Sequence, residues 1–184
     1  MMKNFPELQQ SRVVLRKPSL EDTEFIFKLR SNVEVGKYLD RKLQTKMQEA
    51  VEFLDKIING IAGMNWLYWI ITKKDSGNCL GTICLWNFSD DRKSAEVGFE
   101  ILPEYQGRGF ASEALSAVLR YGFYELSLDK VDGFVESANL RSVGLMKKSG
   151  FSLAKELDER SSIDGREMKC SIYTLAKEEY YLSS

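Results

Sequence analysis

The sequence predicts a mixed α/β (α+β) fold with a mostly antiparallel central sheet of about six to seven strands and helices on both faces. Three observations support this prediction. The chain has 184 residues and contains no repeat or linker-like stretch, which fits a single domain over residues 1–184. Hydrophobic residues make up 43% of the chain, enough for a substantial core. The predicted elements follow the order β, α, α, β, β, β, α, β, α, β, β, whereas a Rossmann fold would alternate strictly.

The first third of the chain combines one strand with two amphipathic helices. Residues 12–16 alternate and are bounded by Pro18, which predicts a strand. Ser19 then caps a helix with an acidic first turn, and residues 33–39 form a short helix or a turn. A capping box at residues 45–48 begins a longer helix, whose apolar residues recur every three or four positions until Asn59 and Gly60 end it.

The middle of the chain is rich in strands. Residues 66–72 and 80–86 are aromatic and β-branched, and the turn signal at residues 75–78 predicts that they form an antiparallel hairpin. A polar turn at residues 90–93 leads to a third strand at residues 95–102, which Pro103 ends.

The last part returns to alternating helices and strands. A long helical pattern follows Gly109 and runs to Leu126. Residues 130–135 predict a strand, and residues 139–149 predict a short helix with Asn139 as its N-cap and Gly150 as its stop. Two late strands, at residues 151–157 and 168–175, flank a turn at residues 162–166.

Composition argues against several kinds of function. The chain has 26 basic and 27 acidic residues, so we expect no nucleic-acid or anionic-membrane partner. It has no histidine, which excludes Ser-His-Asp triads, Cys-His pairs and the HExxH metal site. The three cysteines, Cys79, Cys84 and Cys170, lack CxxC spacing and are expected to be reduced thiols of a cytoplasmic protein without a metal. No signal peptide is expected at the N-terminus, and the apolar stretch at 66–72 is too short to span a bilayer.

The segment with the clearest chemical meaning is a strand, a glycine-containing turn and a helix start at residues 96–111. Such a turn directs free backbone N–H groups toward one point, reinforced by the positive end of the helix dipole, and glycine allows a bulky anion to approach closely. The segment matches neither the Walker pattern nor G-x-G-x-x-G, because Ser112 stands at the third glycine position. From these residues alone, a phosphate-binding turn and a merely tight turn remain equal alternatives.

Two motifs together resemble a known family. Residues 106–111 (QGRGFA) are similar to the Q/R-x-x-G-x-G/A signature of the GNAT superfamily of N-acetyltransferases. Residues 139–142 (NLRS) and 148–151 (KSGF) resemble its N-x-x-S…K-x-G-F signature in the same order and spacing. The opening, residues 12–16 followed by Glu21 and Asp22, resembles the ribosomal-protein alanine/serine N-acetyltransferase branch. The similarity covers nearly the whole chain and is strongest at residues 96–151.

The resemblance implies acetyl-CoA as co-substrate and assigns residues to it. The turn would bind the pyrophosphate through main-chain amides, and the preceding strand would pair with the pantetheine arm. Asn139 would contact that arm besides capping its helix, and Lys148 would contact the nucleotide end unless it is simply solvated. The implied cofactor-binding residues are Phe99, Glu100, Ile101, Gln106, Gly107, Arg108, Gly109, Phe110, Ala111, Asn139, Ser142 and Lys148.

Candidate catalytic groups are limited by the absence of histidine, because acetyl transfer needs a deprotonated amine and a proton for the departing thiolate. On a regular strand Glu96, Gly98 and Glu100 share one face, so Glu96 and then Glu100 are the predicted bases, with solvated or ion-paired glutamates as the alternative. By resemblance, Ser142 is the predicted acid near the sulfur. Many relatives carry a tyrosine at the position of Met146.

The predicted function is acetyl transfer from acetyl-CoA to a primary amine in a ternary complex, with a protein or peptide N-terminal α-amine as acceptor. The alternatives are a small amine, such as a polyamine or an aminoglycoside, and a non-catalytic acyl-CoA-binding module. An acidic cleft built from Glu49, Glu52 and Asp55 would favour a polyamine. Tyr68, Trp69 and Trp86 would suit the acceptor cleft, although most of them are expected in the core. We expect a monomer or a homodimer.

Overall fold

The computed structural model describes residues 5–183, with side chains to residue 182. One sheet of eight strands runs through this part of the chain in the order β1-β2-β3-β4-β5-β6-β8-β7. The strands are β1 (Leu8–Gln9), β2 (Val13–Arg16), β3 (Leu67–Lys73), β4 (Cys79–Trp86), β5 (Ser94–Ile101), β6 (Lys130–Glu136), β7 (Ser152–Arg160) and β8 (Glu167–Ala176). The helices are α1 (Thr23–Ser31), α2 (Val33–Gly36), α3 (Met47–Ala62), α4 (Phe110–Arg120), α5 (Leu140–Lys148) and α6 (Lys177–Ser183). The predicted fold class is confirmed, with one more strand than expected.

The helices cover both faces of the sheet. On one face α4 packs on a large core that includes Trp69, Leu85 and Phe123, all fully buried. On the other face α1 and α3 pack on a smaller core around Ile26, Leu54 and Ile70. The alternation of β3 supplies both layers, since Trp69 and its neighbour Ile70 point to opposite faces.

Several element boundaries differ from the sequence prediction. The helix α3 continues through Asn59 and Gly60 to Ala62, because a glycine inside a helix is tolerated where its neighbours remain packed. Its N-terminal carboxylate is Glu49, which accepts the N–H groups of Thr45 and Lys46. The α-helical part of the long helix ends at Arg120 and continues as a π-helical turn at Tyr121–Glu125. The two-residue strand β1 and the terminal helix α6 were not predicted, since both are too short for a periodic signal.

The arrangement of β5 and β6 positions the functional site. All neighbouring strands are antiparallel except this central pair. These two parallel strands pair over only three positions, Ser94–Glu96 against Lys130–Asp132. Beyond this point β5 runs on to Ile101 and β6 to Glu136 without pairing to each other, so the sheet opens into a V-shaped cleft.

Candidate active site

The open end of the cleft holds a cavity of about 700 Å³. Its walls are β5, β6, the turn before α4, the start of α5 and the segment at residues 34–39. Eleven of the predicted site residues line it: Phe99, Glu100, Ile101, Gln106, Gly107, Gly109, Phe110, Ala111, Asn139, Ser142 and Lys148. Glu96 and Arg108 do not line it. The folded chain therefore gathers most of the residues that two separate motifs singled out.

The turn before α4 has the geometry of an anion-binding loop. Gly107 and Gly109 have φ angles of 72° and 84°, in the left-handed region that favours glycine. Gly109 is the N-cap of α4, so the first amides of that helix, from Phe110 onward, have no partner within the helix. These amides and the helix dipole offer a positive site at the cavity wall without any charged side chain.

Arg12 fixes this turn from behind. Its guanidinium donates to Glu113 Oε1 at 2.5 Å and to the carbonyl oxygen of Arg108 at 3.1 Å, and it lies 4.8 Å from the centre of the Phe110 ring. Glu113 lies in the first turn of α4, where its negative charge would oppose an incoming phosphate. Because Arg12 neutralises that carboxylate, the field at the helix N-terminus stays favourable for an anion.

The start of α5 forms the facing wall. The side-chain oxygen of Asn139 accepts the backbone N–H of Ser142 at 3.2 Å, which confirms its role as N-cap. Gln106 links this helix to the sheet, since its amide nitrogen donates to the carbonyl of Ile101 at 2.8 Å and its oxygen accepts from Arg141. Met146, at the position where a tyrosine was expected from the family, is 1% exposed and packs against Gly133 of β6.

On the acceptor side of the sheet, Glu100 is held by two arginines. Arg41 Nη2 donates to one carboxylate oxygen at 2.8 Å and Arg30 Nη1 to the other at 3.4 Å, with all three side chains about 15% exposed. Burial lowers the pKa of the Arg30 guanidinium, which also stacks on the Phe53 ring. Burial, and then the nearby charge of Glu100, raise the pKa of the Tyr68 phenol far above its usual range. Glu100 is thus a paired carboxylate, with two cations already bound.

A second carboxylate, Glu136, lines the same cavity from the end of β6. Arg166 donates to both of its oxygens, at 3.2 and 3.1 Å, and the Glu136 side chain is 11% exposed. Sequence reasoning missed this residue. The alternation of β6 could have indicated it. Asp132 of β6 pairs with Glu96 of β5, and Glu136, four residues after Asp132, points to the same face of the sheet.

The loop before α3 is tied to the β7–β8 turn above the acceptor side. Asp40 accepts the Ser161 hydroxyl at 2.7 Å and the Ser162 N–H at 2.9 Å. These hydrogen bonds, from Ser162 first and then Ser161, lower the pKa of the Asp40 carboxyl. The β7–β8 turn, which carries Arg166, is therefore held by Asp40 as well as by the Arg166–Glu136 ion pair.

The remaining predicted groups lie elsewhere. Glu96 accepts a hydrogen bond from Asn87 at 2.6 Å, outside the cavity lining. Neither Glu49, Glu52 nor Asp55 lines the cavity, so these carboxylates form no acidic cleft there. Trp69 and Tyr68 are core residues. Burial raises the pKa of the Cys84 thiol to about 12.

Residues 5–183 contain neither a metal-binding cluster nor a membrane-spanning helix. No group of three or more Cys, Asp or Glu side chains in this range is arranged to hold a metal ion. Likewise, none of the helices in this range is long and apolar enough to cross a membrane.

Comparison with known proteins agrees with this geometry. Residues 12–152 match the family model described as an acetyltransferase (GNAT) domain. The chain is 30% identical over 173 residues to the uncharacterized N-acetyltransferase YoaA of Bacillus subtilis, covering 94% of this chain and 98% of that protein. It is 27% identical over 104 residues to the putative ribosomal N-acetyltransferase YdaF of the same species, covering 56% and 57% of the two chains.

A solved structure extends the comparison. The crystal structure of spermidine N-acetyltransferase from Vibrio cholerae, in complex with CoA and spermine, superposes with a TM-score of 0.82 at 26% identity. The match covers 94% of this chain and 99% of that one.

Proposed function

Because this chain belongs to the GNAT acetyltransferase family and is an N-acetyltransferase, we propose that its acceptor is the N-terminal α-amine of a protein or peptide. Transfer would occur directly, with both substrates bound in the cleft. The observation that carries this proposal is the pairing of the acceptor-side carboxylates. Glu100 and Glu136 already bind arginines, which leaves Glu34 as the carboxylate lining the cavity without an ion pair among the described residues. A polyamine carries two or more ammonium groups, whereas an N-terminal amine carries one.

The residues present fit acetyl-CoA as co-substrate. The turn at residues 107–111 suits the pyrophosphate, because its glycines leave the backbone open and an added Cβ at Gly107 would meet nothing within 4 Å. After Glu96, the edge of β5 that faces β6 has no strand partner, so its peptide groups are free to pair with the amides of the pantetheine arm. Asn139 and Lys148, at the two ends of α5, line the same cavity.

Acetyl-CoA supplies the acyl group as a thioester, and the protein must manage two protons. An α-amine has a pKa of about 8, so a weak base is enough to free its lone pair near neutral pH. We propose that Glu136 takes this proton, directly or through a water, because its bidentate contact with Arg166 leaves lone pairs on both oxygens. Glu96 remains a candidate only through a water chain, since it is outside the cavity lining.

The second proton goes to the departing thiolate. Ser142 lines the cavity, and its backbone N–H is held by Asn139, which leaves the hydroxyl free to turn toward the cleft. Met146 has no proton to give, so we propose that the Ser142 hydroxyl donates a proton to the sulfur and regains one from the attacking nitrogen, directly or through a water.

A polyamine is the second candidate acceptor. The solved relative that was crystallised with spermine favours it, and Glu34 would bind one ammonium group. A non-catalytic acyl-CoA-binding module is the third, supported by Met146 alone.

The test is thiol release from acetyl-CoA with a panel of amines: Ala- and Ser-starting peptides, spermidine and an aminoglycoside. We expect release with the peptides and at least tenfold lower kcat/KM with spermidine. The reverse order would overturn the proposed acceptor in favour of a polyamine. Tight CoA binding without release from any amine would instead support the non-catalytic module.

A further inference from the structure

Beside the cleft lies a second cavity of about 520 Å³, between residues 36–43 and the turn at residues 161–166. The two cavities are neighbours, because Lys37 and Leu39 line both. Arg166 also connects them, since it lines the second cavity while its guanidinium binds Glu136 in the first. The second cavity is therefore the neighbouring space for an acceptor chain whose amine lies at Glu136, with Arg166 at the border between the two.

The charged side chains around the second cavity differ in sign and in their hydrogen bonds. Its lining contains four cationic side chains, Lys37, Arg41, Lys42 and Arg166, and two carboxylates, Asp40 and Asp164. Both oxygens of Asp40 are occupied by Ser161 and Ser162. Asp164 accepts the backbone N–H of Arg166 at 3.1 Å. These hydrogen bonds hold the loops in place, and both carboxylates keep their negative charge.

The lysines, in contrast, have no anionic partner. Both side chains are exposed, and within residues 5–183 neither Lys37 nor Lys42 forms an ion pair. The Nζ atom of Lys37 lies 5.3 Å from the centre of the Tyr38 ring. Behind them, Arg30 and Arg41 share the single carboxylate of Glu100, which leaves one uncompensated positive charge in the wall. The Nε atoms of both arginines are buried without a hydrogen-bond partner. The lining of this cavity carries four positive and two negative side chains, so its net charge is positive.

We propose that this cavity is a second acceptor subsite that binds acidic side chains at the positions following the reactive amine. This inference rests on the proposed peptide acceptor and names its class: a chain that begins with a small residue and continues with Asp or Glu. A carboxylate there would meet Lys37, Lys42 and the exposed edge of Arg166. A polyamine, which has no anionic group, gains nothing from this subsite.

The experiment compares three synthetic octapeptides with N-terminal serine that differ only at positions two to four, which carry Glu, Gln or Lys. We expect kcat/KM for acetylation to be at least tenfold higher for the Glu peptide than for the Gln peptide at low salt, and lowest for the Lys peptide. The preference should shrink in about 0.5 M salt, because exposed ion pairs are screened.

Charge reversal tests the residues. Lys37→Glu and Lys42→Glu should each lower kcat/KM for the Glu peptide at least threefold and raise it for the Lys peptide. Lys56→Glu is the matched control, since it reverses one exposed charge on α3 away from both cavities. Equal rates for the Glu and Gln peptides, or the same response in all three variants, would overturn the subsite.

Calorimetric binding of the same peptides to the CoA-bound protein separates this inference from the proposed function. If no peptide is acetylated but the Glu peptide binds more tightly than the Gln peptide, the subsite stands and the assigned reaction fails. If peptides are acetylated without any charge preference in rate or binding, the reaction stands and the subsite fails. Absence of both binding and transfer would overturn both.

Discussion

Replacing Glu100 distinguishes a structural carboxylate from a catalytic base. Glu100→Gln keeps the shape of the side chain and removes its negative charge. Arg30 and Arg41, each about 15% exposed, would then face each other without a counter-ion. The structure therefore predicts a loss of stability from this substitution, in addition to any change in rate.

The expected magnitude follows from burial. Removing one partner of a buried ion pair costs about 3–5 kcal/mol, and the residual exposure of these side chains places the value near the lower end. For a domain of this size each kcal/mol lowers Tm by about 2–4 °C, so the expected decrease is roughly 6–12 °C. Arg41→Gln should cost less, because it leaves Glu100 and Arg30 as a balanced pair.

Thermal unfolding and steady-state kinetics on the same samples provide the assay. Glu96→Gln is the control for stability, with an expected change within about 0.5 kcal/mol, since this side chain makes an exposed hydrogen bond. The double variant Glu100→Gln/Arg41→Gln should recover part of the stability, because it removes one of the two repelling charges. An unchanged Tm together with a large loss of kcat in Glu100→Gln would refute this reasoning and identify Glu100 as the base.

Three further predictions concern the rest of the site. Gly109→Ala should weaken CoA binding at least tenfold by calorimetry, because Gly109 has a φ of 84° and an added Cβ would lie 2.9 Å from Arg12 Nη2; unchanged affinity would remove the turn from the binding site. Ser142→Ala should lower kcat at least tenfold without changing Tm, since the Asn139 cap uses the backbone N–H; a normal kcat would exclude Ser142 as the proton donor. The lowered pKa of Asp40 means that its charged form stabilises the fold above the unfolded pKa of about 3.9 and that this contribution is lost as pH falls through the folded value. Asp40→Asn should therefore have a lower Tm than the wild type at pH 7, and in melting curves the difference should begin to shrink below about pH 4 and disappear once the pH is below the folded pKa; a constant difference would contradict the assignment.

The sequence by itself determined the features that depend on near neighbours in the chain. Alternation and helical spacing were enough for the strands β2 to β6 and β8 and for the helices α1, α3, α4 and α5, because these elements bury a face in the core. The strand β7 has almost no buried side chain, and the turn at residues 162–166 indicated it instead. The turn at residues 106–111 and the Asn139 cap were also readable, since their chemistry lies within a few consecutive residues. Both motifs line the cleft because α4 follows β5 and α5 follows β6. Each motif therefore lies just after the end of one of the two parallel strands.

Only the tertiary structure decided which carboxylates of the cavity are paired with arginines. Glu100 meets Arg30 and Arg41 across separations of 70 and 59 residues, and Glu136 meets Arg166 across 30. These arginines lie at the end of α1 or in irregular loops, where no periodicity marks a partner. An ion pair of this kind depends on how distant segments pack against the splayed strands β5 and β6. For that reason the sequence pointed to Glu96 and Glu100 on β5 as bases. In the folded protein Glu100 is paired with two arginines, and Glu136, paired with one arginine, lines the same cavity.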